Sequence, residues 1–351
     1  MSTYRTDIIN QIDDALIAQW KSLWKRSENA TVFNSYEYFL TWQELTKITE
    51  YELFVCYKKN ELVAILPLKK SYSYGINCFT TILNSYLVDT PFLMETYDKE
   101  LFKHFFALFL NKNIFFQKID EDAVTLLRKT FPKFFFSIIS INPTVALGDD
   151  PFKNISQSTI KQVKKTIRKS DGKIEFIINS DNLEKHFKTM MAIQNQSSKK
   201  LRGEDIFSKK ETRDFFNAII RNCPDLVRIC LLYVNRIPIA YQYGYLYKKS
   251  FACDQIAYRN DYAKLRPGKT VLYYLIEMMK DTSVKWLDLG GGISSYKTEF
   301  TDNYRVLYNL YYSPNPAIMA WWKGINFVRR VKQVAFPKKH TRDHQFLFKP
   351  L

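Results

Sequence analysis

The fold of this chain can be worked out from residues Phe251–Thr301, which read FACDQIAYRNDYAKLRPGKTVLYYLIEMMKDTSVKWLDLGGGISSYKTEFT. The short aromatic run Phe251–Tyr258 predicts a strand. Apolar residues at helical spacing predict a helix over Thr270–Lys280. The apolar run Val284–Leu289 predicts a second strand, which ends in three consecutive glycines. The pattern is therefore strand, turn, helix, strand and glycine turn.

The turn before the predicted helix contains two cations and a glycine. Its residues are Arg266, Pro267, Gly268, Lys269 and Thr270. Backbone N–H groups at a helix start, together with the positive end of the helix dipole, suit an anion such as phosphate. A glycine at position 268 lets a phosphate approach closely, where a side chain would clash. The alternative is that Pro267 and Gly268 merely begin a helix.

Composition and charge limit the kinds of protein that this can be. A chain of 351 residues, 46% of them hydrophobic, can form one large domain or two ordinary ones with a real core. Its 52 basic and 35 acidic residues give a formal charge of +17. This charge favours acidic partners such as coenzyme phosphates, nucleic acid, anionic lipid or an acidic carrier protein. A biased genome composition would produce a similar excess of lysine.

The sequence favours neither a disulfide-rich nor a metal-binding protein. Its five cysteines are an odd number without a CxxC pair, and its four histidines show no metal-ligand spacing. The N-terminal residues include acidic side chains and no apolar signal-peptide core. No apolar run approaches the roughly 20 residues of a membrane span. We therefore expect a cytoplasmic protein without a metal.

The chain in order predicts a mixed α/β protein in two halves. The first half contains helices predicted at Ile8–Arg26 and Tyr36–Thr46, then a hairpin, helices and strands. A Pro- and Gly-containing linker is predicted at Asn142–Asn154. The second half begins with a basic helix, Ser156–Ser170, and continues through two helices into three antiparallel strands. The similar order of elements in the two halves suggests an internal duplication.

The residues after Thr301 predict a last strand and a long helix. Val306–Tyr312 is expected to lie beside the glycine-ended strand, and Ala317–Val334 is expected to be helical. The predicted domains are thus an N-terminal half at 1–142, a C-terminal donor-binding domain at 155–335, and a basic tail at 336–351.

Two motifs in the second half resemble a known family. AYRNDYAKLRPGKTVLYYLIE followed by WLDLGGGISSYKTEF is similar to the CelD/BcsL-type acyltransferases of the GNAT superfamily, which are relatives of the FemAB peptidyltransferases. The matching positions lie in the strand, turn, helix and glycine segments: Tyr262, Pro267, Gly268, Leu272, Asp288, Gly290, Gly292, Tyr296 and Lys297.

Two weaker matches, KQVKKTIRKSDG from Lys161 and SSKKLRG from Ser197, lie upstream. The resemblance covers about 155–300, and the first half matches only loosely. One position departs from the family's pattern: Arg259 stands where the family usually has aspartate.

The resemblance implies two tandem GNAT-like halves, each a mixed and mostly antiparallel sheet flanked by helices. It also implies acyl transfer from acyl-CoA, or from an acyl carrier protein, to an amine or hydroxyl. If the resemblance holds, residues Arg266–Thr270 bind the phosphates of the acyl donor. Such chemistry needs a positioned thioester, an oxyanion donor and a base.

Three residues are candidates for the base, namely Asp254, Asp288 and Tyr296. Each has a structural alternative: a bulge or exposed edge for Asp254, a brace of the glycine turn for Asp288, and packing for Tyr296. Tyr243, Tyr258 and Lys297 are assigned to substrate binding, although Lys297 is also compatible with a solvated lysine.

Three functions remain open at this point. The first is an N-acyltransferase acting on an amino sugar, an amino acid or a surface-polymer precursor. The second is a FemAB-like transferase that uses aminoacyl-tRNA. The third is a non-catalytic scaffold of a polysaccharide or membrane assembly. The basic helix Ser156–Ser170 would suit an acyl carrier protein or tRNA, with a solvated face as the alternative. The Trp-rich helix Ala317–Val334 would suit an anionic membrane, with packing on its own protein as the alternative. No RNA-binding signature is present, and we expect no DNA partner.

Overall fold

The computed structural model describes residues 4–47, 50–82, 89–148, 150–153, 155–170 and 174–335. Contacts divide the chain into two compact units, residues 1–141 with 305–351, and residues 142–304. We call them unit 1 and unit 2. The chain passes from unit 1 to unit 2 within one strand and returns at the start of another.

The elements up to residue 146 are β1 (Tyr4–Ile9), α1 (Asp14–Arg26), α2 (Tyr36–Thr46), β2 (Glu52–Lys58), β3 (Glu61–Ser73), β4 (Ile76–Thr81), β5 (Leu93–Met94), α3 (Lys99–Ala107), β6 (Ile114–Asp120), α4 (Glu121–Thr130) and β7 (Phe135–Ala146). The later elements are α5 (Gln157–Lys169), β8 (Ile174–Asn179), α6 (Leu183–Asn195), α7 (Ser198–Leu201), α8 (Lys210–Asn222), β9 (Val227–Val234), β10 (Ile237–Tyr247), β11 (Ser250–Tyr258), α9 (Pro267–Met279), β12 (Trp286–Asp288), α10 (Ser295–Thr298), β13 (Tyr304–Tyr312) and α11 (Pro316–Ala335).

Unit 1 is built on an antiparallel meander. Strands β1 to β4 pair in chain order, and β6, β13 and the first part of β7 extend the same sheet. Helix α3 packs Leu101, Phe102, Phe105 and Phe106 against this sheet, because their three- and four-residue spacing places them on one face. Phenylalanine rings fill much of this core, which explains the unusual phenylalanine content of the sequence.

Unit 2 has a second sheet, in the order β7 (its last residues), β12, β11, β10, β9 and β8. Strands β8, β9, β10 and β11 pair with one another in an antiparallel way. Strand β11 then pairs with β12 in a parallel way. Helix α9 connects this parallel pair and buries Val271, Leu272, Leu275, Ile276 and Met279. The mixed, mostly antiparallel α/β sheet that the sequence predicted is confirmed, and the chain forms two compact units.

Three local predictions differ from the structure. Residues Tyr4–Ile9 form β1, so the first helix begins only at Asp14, after the N-cap Asp13. Strand β7 continues to Ala146, well into the predicted linker. Strand β13 pairs with β6 instead of lying beside the glycine-ended strand. All three differences reflect pairing with residues that are distant in the sequence.

The return of the chain to unit 1 also concerns the predicted domains. Residues 305–335, which the sequence placed with the C-terminal domain, cluster with unit 1. The predicted basic tail, 336–351, and the Asp171-Gly172 end of the basic helix lie outside the described residues. Among the helices described, none combines the length and apolar character that crossing a membrane requires.

Candidate functional site

The β11 and β12 strands of unit 2 run together only briefly. They pair at Ser250–Trp286, Phe251–Leu287 and Ala252–Asp288. Strand β12 then ends, while β11 continues to Tyr258. The remaining edge of β11 therefore has no ladder partner from β12. An open strand edge of this kind can accept an extended ligand through main-chain hydrogen bonds.

Asp254 is the extra residue of a β-bulge at this edge. Across the β10–β11 ladder, Tyr243 pairs with Gln255 and Gly244 pairs with Cys253, so Asp254 has no opposite partner. The structure thus bears out the bulge that the sequence left open for this residue. A bulge bends its strand and re-aims one side chain, and such bulges are common beside active sites.

Gly244 and Gln242 on the neighbouring strand β10 accommodate the bulge. A Cβ atom at Gly244 would lie 2.5 Å from the carbonyl oxygen of Ala252 and 2.7 Å from the Phe251 ring, so a larger residue would displace the strand. Gln242 is buried and donates from Nε2 to the carbonyl oxygens of Tyr243, at 2.8 Å, and Gln255, at 3.2 Å. These contacts satisfy backbone groups where the ladder is interrupted.

The Asp254 carboxylate accepts two side-chain hydrogen bonds. Gln255 Nε2 donates to Oδ1 at 2.9 Å, and Tyr245 Oη donates to Oδ2 at 3.3 Å. Burial nevertheless raises the pKa of Asp254 from 3.8 to about 6, against the lowering effect of these two bonds and of Lys199. The group is therefore ionised at neutral pH and close enough to its pKa to exchange a proton readily, which suits a general base.

Lys199 is a site residue that the sequence did not assign. It belongs to the SSKKLRG motif and lies on the short helix α7. Burial lowers its pKa, while the charge of Asp254 works in the opposite direction. A half-buried cation and a half-buried carboxylate thus lie close to each other. The signal in the sequence is the SSKKLRG motif itself, because its resemblance to the family marks this loop.

The motif is fixed to the end of β11. Ser197 forms a β-bridge with Arg259, and the N–H of Asn260 donates to the carbonyl oxygen of Gln196 at 3.0 Å. Gln194, just before the motif, accepts a bond from Tyr241 Oη at 2.7 Å and donates to Asp205 at 2.7 Å. This buried network holds the loop that carries Lys199 against the sheet.

The predicted substrate contacts Tyr243 and Tyr258 have different environments. Tyr243 is fully buried and packs edge-on against Phe216 at 5.0 Å and Tyr245 at 5.4 Å between ring centroids. Its Oη has no partner at hydrogen-bond geometry among the described residues, and burial raises its pKa. Tyr258 is the half-buried last residue of β11 and packs against the unit 2 core.

Asp288 and Lys297 both stabilise the glycine turn after β12. Asp288 Oδ1 accepts from the N–H of Gly290 at 2.8 Å, and Oδ2 accepts from Asn142 Nδ2 at 3.0 Å. The buried Lys297 Nζ donates to the carbonyl oxygens of Gly290, Gly291 and Gly292 at 3.0, 3.1 and 3.4 Å. This geometry corresponds to the bracing alternative for Asp288. It also shows that Lys297 is not a solvated lysine.

Gly290 brings this turn against the bulge. It has φ +77°, and a Cβ atom there would lie 2.6 Å from the carbonyl oxygen of Cys253, the residue before Asp254. Tyr296 on α10 is half-buried and packs against the unit 2 core. Burial, together with the nearby Cys253, raises its pKa, so the phenol stays protonated at neutral pH. Tyr296 is thus better suited to donate a proton than to accept one.

The predicted donor turn follows the C-terminal end of β11. Helix α9 begins with Pro267 at its first position, after Arg266 in the left-handed conformation at φ 48°. Space around Gly268 is open, since no atom lies within 4 Å of a Cβ built there. The N–H groups of Lys269 and Thr270 donate to the carbonyl oxygen of Arg266 at 3.0 and 3.2 Å.

The two cations of the turn have partners within unit 2. Lys269 Nζ contacts both carboxylate oxygens of Glu299, at 2.7 and 2.5 Å, and Arg266 Nη1 donates to Gln162 Oε1. Burial opposes ionisation of Glu299, but the bonds from Lys269 and Thr159 outweigh it and lower the carboxyl pKa. An anion entering here would compete with Glu299 for Lys269.

Comparison with known proteins links unit 2 to a family of acyl-transferring enzymes. Residues 157–298 match the model of the acetyltransferase (GNAT) domain family. No curated protein matches the sequence.

Several solved structures share the fold across most of the chain. FemX has a TM-score of 0.59 at 10% identity, covering 90% of this chain and 99% of its own. L-PGS from Bacillus licheniformis has a TM-score of 0.57 at 12% identity, covering 88% and 95%. The C-terminal domain of a putative lysylphosphatidylglycerol synthetase from Agrobacterium fabrum has a TM-score of 0.57 at 9% identity, covering 93% and 98%.

These identities are low, so the three structures show similarity of fold alone. The matched domain contains β11, α9, β12 and the glycine turn, which are the elements that form the site. Residues 157–298 are therefore similar to GNAT acetyltransferase domains, and this similarity supports an enzyme of the N-acyltransferase type.

Proposed function

We propose that the protein transfers an acyl group from a thioester, on coenzyme A or an acyl carrier protein, to an amine or hydroxyl of an amino sugar, an amino acid or a cell-surface polymer precursor. This is the activity implied by the resemblance to CelD/BcsL-type enzymes. The observation that carries it is the parting of β11 from β12 next to the Asp254 bulge. A strand edge for the donor and a carboxyl group with a pKa of about 6 occur there together.

In this proposal the edge of β11, Asp254 and Tyr296 each have a separate role in the transfer. The pantetheine arm pairs with the free edge of β11, and a backbone N–H of the strand stabilises the oxyanion. The acceptor nitrogen attacks the thioester carbon while Asp254 takes its proton. The carbon–sulfur bond then breaks, and the thiolate leaves with a proton that Tyr296, protonated at neutral pH, is suited to supply.

The donor phosphates occupy the start of α9 in this proposal. Gly268 leaves open space there, and Arg266 and Lys269 supply positive charge. Phosphate binding would require Lys269 to exchange its contact with Glu299 for one with the ligand. Lys297 and Asp288 act indirectly, because they hold the glycine turn in place against Cys253, the residue before Asp254.

The same turn also supports a second candidate. Since Glu299 already neutralises Lys269 and the carbonyl oxygen of Arg266 uses two N–H groups, the turn is a weaker pyrophosphate site than its sequence suggests. A donor that does not depend on this turn is aminoacyl-tRNA, as in FemAB-like transferases. The net charge of +17 suits such a polyanion.

Calorimetry with acyl-coenzyme A tests the donor site. Gly268→Glu places bulk and negative charge at the turn, and we expect at least a tenfold loss of affinity. Gly268→Ala is the matched control: it fits the open space and should bind as the native protein does. Equal binding by all three proteins would refute the assignment of Arg266–Thr270.

The donor class can be separated in the same preparation. Native mass spectrometry against acyl-coenzyme A and acyl carrier proteins should show a bound donor, and transfer should survive ribonuclease. Transfer that ribonuclease abolishes, without binding of any thioester, would instead establish the tRNA-dependent reaction.

A further inference from the structure

Helix α11 of unit 1 has two apolar faces, and its own unit covers one of them. Trp322 is fully buried and packs with Tyr311, Phe115 and Cys78, while Ile318 and Met319 pack beside it. On the other side Trp321 is 55% exposed, Phe327 68%, Val328 50% and Val331 49%. A surface helix ordinarily has one apolar face, so the second needs an explanation.

The exposed apolar residues form a continuous stripe. Positions 317, 320, 321, 324, 327, 328 and 331 recur every three or four residues and are all apolar or glycine. We call this set the α11 stripe. No atom lies within 4 Å of a Cβ built at Gly324, so the middle of the stripe is open. The indole of Trp321 is held by a bond from Nε1 to the Tyr74 carbonyl oxygen at 2.9 Å.

Positive charge flanks the stripe. Residues 316–335 include Lys323, Arg329 and Arg330 but no aspartate or glutamate. Arg329 stacks on the Tyr74 ring at 4.6 Å and also donates to its Oη, which fixes that cation beside the helix. The surface around the stripe thus joins large aromatic and branched side chains to fixed positive charge.

We propose that the α11 stripe docks on an anionic lipid surface, with the helix lying in the plane of the interface. Tryptophan and phenylalanine on one side with lysine and arginine at the border are the features of interfacial amphipathic helices. Each cation near an anionic membrane strengthens binding by about fivefold. The absence of acidic residues from α11 makes its charge complementary to anionic lipid headgroups.

Vesicle sedimentation tests the proposal with the full-length protein. The protein should bind phosphatidylcholine vesicles containing phosphatidylglycerol at least tenfold more strongly than pure phosphatidylcholine vesicles, and high salt should weaken this binding. Phe327→Asp should reduce binding at least tenfold, because it removes an inserted aromatic ring. Since Phe327 is exposed, the variant should fold, as circular dichroism can verify.

Two matched controls distinguish binding through the α11 stripe from nonspecific hydrophobic binding and from binding through the net positive charge of the protein. Ile237 is 41% exposed in unit 2, and Ile237→Asp should leave vesicle binding unchanged. Reversal of Lys323 and Arg330 to glutamate should weaken binding at least tenfold, whereas the same reversal of Lys164 and Lys165 on α5 should have a smaller effect.

Three results would overturn the proposal. They are native-like binding by Phe327→Asp, equal binding to neutral and anionic vesicles, and a native dimer that Phe327→Asp converts to a monomer without change in vesicle binding. The last result would assign the stripe to a second copy of the chain.

Discussion

Replacement of Asp254 by asparagine should stabilise the protein above neutral pH while it slows acyl transfer. Burial raises the pKa of this carboxyl from 3.8 to about 6. The native state therefore holds the proton more tightly than the unfolded state does. Stability is lost as pH rises from about 4 to about 6, and the full cost is present above pH 6.

The magnitude follows from the size of the shift. A rise from 3.8 to about 6 is about two pKa units, and each unit corresponds to 1.36 kcal/mol, so the charged form costs about 3 kcal/mol. Asparagine carries no charge, but it loses one acceptor oxygen for Gln255 or Tyr245, which costs about 1 kcal/mol. A net gain of about 2 kcal/mol at pH 8 is expected.

Urea denaturation at pH 4 and pH 8 measures this effect. The free energy of unfolding of Asp254→Asn, relative to the native protein, should increase by about 2 kcal/mol between the two pH values. Asp281→Asn, at an exposed position, should show no such change. Parallel stability curves for the Asp254 variant and the native protein would refute the claim that this carboxyl is desolvated.

The same variant tests the proposed chemistry. The native kcat/KM should rise with pH through a midpoint near 6, since the base acts in its ionised form. In Asp254→Asn this limb should disappear and the rate should fall by roughly 10²- to 10⁴-fold. A retained limb at a near-native rate would exclude Asp254 as the base and leave Tyr296 or the substrate itself.

Two further substitutions examine the surroundings of the bulge. Gly290→Ala should cost about 2 kcal/mol more in unfolding free energy than Gly292→Ala, because both glycines have positive φ but only the first new Cβ would meet the Cys253 carbonyl oxygen; equal costs by urea denaturation would contradict this. Lys199→Met should move the acidic limb of the kcat/KM profile upward by roughly one pH unit, since it removes a cation that lowers the Asp254 pKa. Lys199→Arg should restore the native profile, and an unmoved limb in Lys199→Met would show that the two groups do not interact.

Local sequence patterns were sufficient to predict the helix and strand boundaries around the site. Proline at position 267 marks the start of α9, because its fixed φ and missing N–H suit the first helical position. The glycines at 290–292 mark the end of β12, because two of them adopt positive φ, a backbone conformation that glycine adopts without strain and that does not continue a strand. Such signals lie within a few residues and need no knowledge of the rest of the fold.

The roles of the polar residues depended on distant partners. The Asp254 bulge is set by the offset between Tyr243 and Gly244 on the neighbouring strand, which the sequence of β11 does not specify. Lys297 resembles a ligand-binding lysine in sequence, but the fold places three glycine carbonyl oxygens around its ammonium group. Lys199 gained significance only through its closeness to Asp254.

Pairing between strands that are distant in the sequence was the other source of error. Ile8 and Ile9 continue the apolar spacing of α1, so periodicity assigned them to the helix, whereas pairing with Phe54 and Leu53 makes them a strand. The same competition between local pattern and distant pairing extended β7 beyond Asn142.

The interrupted path of unit 1 has a consequence for biosynthesis. Strand β6 pairs with β13, yet roughly 180 residues, including all of unit 2, are translated between Asp120 and Arg305. At ordinary elongation rates this interval lasts roughly 10 to 40 seconds. During that time the nascent unit 1 presents an unmatched β-edge beside a phenylalanine-rich core, which is a target for chaperones. Completion of unit 1 is therefore a late event, and translation arrested within unit 2 would release an aggregation-prone product.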